Sequence, residues 1–256
     1  PPPPPTPTAT RRQRQMCIRD RLEGSAIRES HRDCGRVQDA YSLRCSPQVH
    51  GTSRDAFDHT RRVLTIELNS ATDNPMVFAD GRVISGGNFH GAPIAAVFDY
   101  LAVTVTDLAS ISERRFARMV DSSLSGLPRF LVEDAGVNSG FMMVQVSAAA
   151  LVSEMKTLAH PASVDSIPTS AGQEDHVSMS TWAARKLARV VDLGRRVLGM
   201  ELFAAAQALE FHRPLKTSPD LEGVVERLRE RVPRVEEDRY LAADMDAAAE
   251  LIYELT

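Results

Sequence analysis

The 256-residue sequence predicts a mainly α fold, an elongated helical bundle with one small β-hairpin behind a disordered N-terminal leader. Three observations predict it. Aromatic residues are only 5% of the chain, and strands favour aromatic and β-branched side chains. Apolar residues recur at helical spacing over long stretches. The longest pattern, from Val177 to Phe211, spans about 50 Å at about 1.5 Å per residue. A compact chain of this size has a diameter of about 47 Å, so such a helix crosses the whole body.

Residues 1–24 stand apart. Pro1 to Pro5 favour polyproline II, and Arg11, Arg12, Arg14, Arg19 and Arg21 follow with little apolar surface. A basic arm for nucleic acid is one reading; an extraneous leader ahead of a helical part at 25–256 is the one adopted. Arg54 to Leu68 reads as an amphipathic helix through Phe57, Val63, Leu64 and Leu68. Asn69 to Pro75 breaks it. Met76–Phe78 and Arg82–Ile84, around Asp80-Gly81, read as the hairpin. A glycine-rich turn, Ser85 to Asn88, precedes a helix that starts near Pro93 and ends near Val120. After a loop over 121–138, Asn138 or Ser139 is placed to cap a helix ending at His160, before Pro161. A second irregular stretch, 162–175, leads into the long helix. Pro219–Arg231 and Ala243–Leu255 complete the set. Phe141–Leu151 and Glu201–Phe211 are apolar nearly all round and are expected to seek partner helices.

Composition narrows the function. Lys+Arg is 30 and Asp+Glu 34, a net charge of −4, which argues against nucleic-acid binding by bulk charge. Mean hydropathy is −0.21, and no run of about 18 apolar residues is present, so no membrane-spanning helix is expected. Cys17, Cys34 and Cys45 form no disulfide framework, and the proline-rich start has no signal-peptide core. A cytoplasmic location is the expectation.

Three polar segments fall between helices: Gln38–Cys45, Ser85–His90 and Ser170–His176. Tyr41 and Arg44, three apart, share one helical face. A guanidinium fork binds a carboxylate through two hydrogen bonds, and a phenol beside it donates or takes a proton. Gln173-Glu174-Asp175-His176 groups an amide, acids and an imidazole. His31-x-x-Cys34 and Cys45-x4-His50 suggest halves of a zinc site, but the spacing is loose and no metal is expected. No phosphate loop and no GxSxG elbow is present.

These segments carry a resemblance. Arg36-Val37-Gln38-Asp39-Ala40-Tyr41-Ser42-Leu43-Arg44-Cys45 resembles the QDPYSLRC signature of the histidine and phenylalanine ammonia-lyases, with Ala40 where those enzymes usually carry proline. Asn69–Pro75, Gly86-Gly87-Asn88-Phe89-His90, Ser112-Glu113-Arg114-Arg115 and Gly172–Met179 continue it in order. The resemblance implies the helical aspartase/fumarase–ammonia-lyase fold. It implies Arg44 on the substrate carboxylate, with Gln38 and Tyr41 lining the site and Tyr41 catalytic. It makes Phe89 a candidate pocket wall. At the third segment, histidine enzymes resemble Gln-Glu-Asp-His-Val-Ser-Met, whereas phenylalanine and tyrosine enzymes carry an amide. Glu174 is therefore expected to contact a basic imidazole or the amine, as catalytic and substrate-binding residue, with L-histidine as substrate. His90 and His176 either tune the site or serve structure.

The family's electrophile, a methylidene-imidazolone, forms from an internal Ala-Ser-Gly. No such tripeptide occurs here. The expectation is a C-terminal part of the enzyme, inactive alone, and a homotetramer with active sites shared between subunits. Alternatives are a phenylalanine or tyrosine ammonia-lyase, an aminomutase relative, or a non-catalytic helical interaction module with a zinc-stapled start. Aspartase or fumarase proper is disfavoured, because their GSSxMPxKxN signature is missing.

Overall fold

A computed structural model describes residues 21–35 and 37–255. The expected disorder and the basic residues of 1–20 lie outside the described residues. The helices are α1 (Ala26–Ser30), α2 (Tyr41–Arg44), α3 (Ser46–Leu68), α4 (Ala92–Val120), α5 (Ser122–Ser125), α6 (Met142–Leu158), α7 (Ser180–Glu210), α8 (Pro219–Arg229) and α9 (Ala242–Glu254). Strands β1 (Met76–Val77) and β2 (Val83–Ile84) pair antiparallel, Met76 opposite Ile84. The mainly α expectation and the hairpin both hold.

Several boundaries differ for local reasons. Helix α3 starts at Ser46, not Arg54, because Pro47 sits in its first turn, where a missing N–H costs nothing. Helix α6 starts at Met142, and neither Asn138 nor Ser139 caps it. In the turn before it, the Asp238 carboxylate accepts the Ser139 and Gly140 N–H groups, each at 2.8 Å. These two bonds hold the Asp238 carboxyl below the usual carboxylate range. Ser218 caps α8 by accepting the Leu221 N–H, with Pro219 in the first turn.

The chain forms two compact units. The first comprises the described part of 1–51 with 108–153 and 193–256. Its core gathers Phe116, Phe141, Phe203, Leu131, Leu228 and Leu251, all fully or almost fully buried. Phe141 meets Phe203 edge-on at 4.6 Å between ring centres. Buried Gln207 satisfies three backbone groups, donating to the carbonyls of Leu131 and Val235 and accepting the Val235 N–H. Gly199 permits close helix packing, since a Cβ there would stand 2.6 Å from the Ala249 backbone. The stretch Glu201–Phe211 contains no exposed residue. Leu131, α8 and α9 share its core, so the expectation of leftover apolar surface there is corrected.

The second unit comprises 52–107 and 154–192. Ala95, Ala162 and Ala183 pack together, with Phe98 and Met179 against them. The Thr60 hydroxyl donates to the Ala56 and Val97 carbonyls, and Ser53 to Thr104.

Helix α4 also corrects the hydropathy expectation. It is long and apolar enough, by length and composition, to cross a membrane. Much of that apolar length is protein core: Ala95, Leu101, Ala102, Ala109 and Phe116 are buried. It also carries Asp99, whose buried carboxylate is paired within the second unit.

Candidate functional site

The first cluster lies on α2 in the first unit. A four-residue helix has little stability of its own. Its geometry nonetheless places Tyr41 and Arg44 on one face, as the three-residue spacing predicts. The Arg44 guanidinium lies 5.5 Å from the Tyr41 ring centre. Arg44 Nη1 donates to Gln38 Oε1 at 2.5 Å. Tyr41 is 73% exposed, and Arg44 and Gln38 are exposed too, while Ser42 turns inward. The fork is thus held on one side by an amide and a ring and is open to a carboxylate on the other.

Beneath this turn is an ion pair that spacing did not reveal. Arg115 on α4 meets Glu201 on α7 through Nε and Nη2, the latter at 2.8 Å. The side chains are 14% and 16% exposed. Ser112 adds a hydroxyl bond to Glu201 at 2.5 Å. The remaining nitrogen, Arg115 Nη1, reaches the Ser42 carbonyl at 3.4 Å and the Ser46 hydroxyl at 3.3 Å. Ser112 and Arg115 belong to a quoted sequence motif, but nothing in the local pattern pointed to Glu201.

The second cluster lies on two loops of the second unit. In the first loop, Asn74 Oδ1 accepts the Ser85 hydroxyl at 3.0 Å and the Gly86 N–H at 2.9 Å. Asn88 Nδ2 donates to the Ala71 carbonyl at 2.6 Å. These bonds, through Asn74 and Asn88, tie the Asn69–Pro75 segment to the glycine-rich turn. Phe89 follows, 56% exposed. Gly91 is required by a close approach: a Cβ there would stand 2.5 Å from the Ser180 hydroxyl.

The other loop carries Glu174. Ser170, Ala171 and Gly172 all have positive φ, at 51°, 55° and 86°. For Ser170 and Ala171 this costs about 1–2 kcal/mol each, so tertiary contacts must hold it. Thr169 and Glu174 close the loop through backbone bonds, and the Thr169 hydroxyl donates to the Glu174 carboxylate. Hydroxyl bonds from Thr169 and then Ser170 hold the Glu174 carboxyl below its ordinary range. Glu174 is therefore an exposed anion at neutral pH. The loops meet next to both candidate residues: His90 and His176 stack at 5.6 Å between ring centres, and His90 Nε2 lies 3.1 Å from the His176 carbonyl.

A buried pair anchors the start of the Glu174 loop. Asp99 Oδ1 lies 3.1 Å from Lys186 Nζ, with side chains 5% and 4% exposed. Lys186 also donates to the His160 carbonyl, and the Ser163 N–H donates to Asp99 at 2.6 Å. Burial raises the Asp99 pKa, but bonds from Ser163, Ala162 and Lys186 outweigh it and leave the carboxyl lowered. Sequence gave no sign of this pair.

Gln38, Tyr41 and Arg44 are therefore brought together in one unit. Phe89 and Glu174 stand on joined loops of the other. The suggested zinc halves form no site: among the described residues no group of three or more His, Cys, Asp or Glu side chains is arranged to hold a metal. His31 instead packs edge-on against His212 at 6.1 Å. One unit presents a guanidinium fork beside a phenol; the other presents an exposed phenyl ring and an ionised carboxylate.

The family described as aromatic amino acid lyase matches residues 7–230. A relative in Burkholderia cenocepacia, described as histidine ammonia-lyase, is 54% identical over 237 residues, covering 92% of this chain and 47% of its own length. The crystal structure of histidine ammonia-lyase from Trypanosoma cruzi superposes with a TM-score of 0.82 at 43% identity, covering 96% of this chain and 51% of that one. Tyrosine aminomutase from Streptomyces globisporus superposes with a TM-score of 0.86 at 37% identity, covering 97% and 51%. The chain spans about half the length of the curated relatives it matches.

Proposed function

Because the chain belongs to the aromatic amino acid lyase family, we propose that it carries part of the active site of a histidine ammonia-lyase, which converts L-histidine to urocanate and ammonia. The observation that carries this reading is the Arg44 fork, pre-oriented by Gln38 and the Tyr41 ring and exposed on its other side. In this reading Arg44 takes the α-carboxylate of the substrate, and Glu174, an ionised carboxylate, is the group suited to a basic imidazole or amine. An amide at 174 would suit a neutral ring instead, which favours histidine over phenylalanine or tyrosine.

Each residue has a stated part. Gln38 and the Tyr41 ring limit the rotation of Arg44, so less side-chain freedom is lost on binding. The Tyr41 phenol exchanges a proton with the substrate. Phe89 forms a wall of the pocket. Enzymes of this family use a methylidene-imidazolone electrophile made from Ala-Ser-Gly. These 256 residues contain no such tripeptide, so they do not supply it. The chain alone is therefore inactive towards histidine. A cytoplasmic homotetramer with shared sites completes the proposal.

The test uses urocanate absorbance. The chain alone should show no turnover. A hybrid joining residues 25–256 to the N-terminal half of the Burkholderia cenocepacia relative should restore it. In that hybrid Arg44→Ala leaves the substrate carboxylate without its charge partner, a loss of about 3–5 kcal/mol where the assembled, substrate-filled site buries the pair. The expected loss in kcat/KM is about 10²–10³ or more. A loss under threefold would remove Arg44 from the site.

A further inference from the structure

We propose that Arg115 and Glu201 are positioning residues for the site, acting on the Ser42 carbonyl to fix where Tyr41 and Arg44 stand. The proposal rests on the reading of Arg44 as the carboxylate-binding residue. Helix α2 has four residues, and three of them, Tyr41, Leu43 and Arg44, are exposed. A turn that short does not hold itself, so its orientation comes from outside. The contact point is Ser42, its one buried residue. The Ser42 carbonyl accepts the Ser46 hydroxyl at 3.0 Å and Arg115 Nη1 at 3.4 Å.

The guanidinium divides its work. Nε and Nη2 are committed to the two Glu201 oxygens, which fixes the plane of the fork. Ser112, three residues before Arg115, adds a hydroxyl bond to the same Glu201 oxygen that Nη2 engages. Nη1 is then the nitrogen left to face α2, and it bridges the Ser42 carbonyl and the Ser46 hydroxyl. Only a rigid, multi-donor group makes these divergent contacts at once. A lysine ammonium at 115 keeps the charge opposite Glu201 but lacks the fork. A buried ion pair is also a weak source of net stability compared with apolar packing, which fits a role in geometry.

That difference gives the test. A purely structural α4–α7 ion pair is rescued by Arg115→Lys; a positioning role is not. Amide hydrogen exchange on the whole 256-residue chain reads it directly. The amides of Leu43, Arg44 and Cys45, bonded to the Ala40 and Tyr41 carbonyls, should exchange at least tenfold faster in Arg115→Lys. The Val235 amide, held by Gln207 in the same unit, should change less than threefold. Glu201→Gln, which leaves an acceptor but releases the fork, should give the same local pattern if the lysine variant folds poorly. Unchanged exchange at 43–45, or an equal rise at Val235, would overturn the proposal. In the hybrid enzyme the lysine variant should raise KM for histidine tenfold or more with a smaller change in kcat. A fall in kcat at constant KM would also overturn it. A hybrid whose unsubstituted form does not turn over histidine counts against the functional reading, and the exchange result still decides the positioning role.

Discussion

Replacing Lys186 by methionine tests whether the buried pair holds the Glu174 loop. The substitution keeps the length and apolar body of the side chain and removes only the ammonium. Asp99 is then left as a carboxylate 5% exposed, with the Ser163 N–H at 2.6 Å still bonded but no countercharge. The His160 carbonyl loses a donor as well. Breaking a buried pair from one side costs about 3–5 kcal/mol, because the surviving charge is uncompensated. For a chain of this size about 2–4 °C of melting temperature corresponds to 1 kcal/mol, so the expected drop is about 6–20 °C. Calorimetry or circular dichroism measures it. The double variant Asp99→Leu with Lys186→Met should recover most of the loss, since no charge remains buried. The pH dependence has a definite sign. The Asp99 carboxyl is lowered in the folded state, so its contribution is present above the unfolded carboxylate range and is lost as pH falls through the folded value. The gap between the unsubstituted chain and Asp99→Asn should therefore shrink below about pH 4. A loss below 1 kcal/mol for Lys186→Met, or a gap unchanged down to pH 2, would refute the reasoning.

Glu174→Gln in the hybrid enzyme should cut histidine turnover sharply while leaving stability nearly unchanged, because the side chain is exposed; equal turnover would make the carboxylate incidental. Gly199→Ala should destabilise by about 1–3 kcal/mol in a urea titration, because its Cβ would meet the Ala249 backbone at 2.6 Å and backbone cannot step aside as a side chain can. Sedimentation velocity at micromolar concentration should show self-association, now expected from the exposed Met143 and Val146 on α6 rather than from Glu201–Phe211; a clean 28.1 kDa monomer would count against the shared-site assembly.

What the sequence determined by itself was whatever depends on neighbours within a helical turn or a tight loop. Helical periodicity located the long helices, because burial of one face repeats every three to four residues. The Asp80-Gly81 pair located the hairpin. The spacing of Tyr41 and Arg44 predicted their shared face, since that contact is closed by local backbone geometry alone. Motif order made the family resemblance visible without any knowledge of packing. Tertiary structure decided the rest. The apolar run in α4 gave no hint that Asp99 within it would find Lys186. The capping expectation at Asn138 failed because the helix begins later, at Met142, and the Asn138 amide is engaged instead by the Asp238 N–H and the Glu133 carbonyl. Glu201 lies 86 residues from Arg115, and their pairing exists only because α4 and α7 pack side by side at that height. Such contacts join groups far apart along the chain, whose spacing sets only a slowly growing loop-closure cost and names no partner. They form where helix packing leaves a buried polar group in need of a partner, and one-dimensional spacing does not record that need.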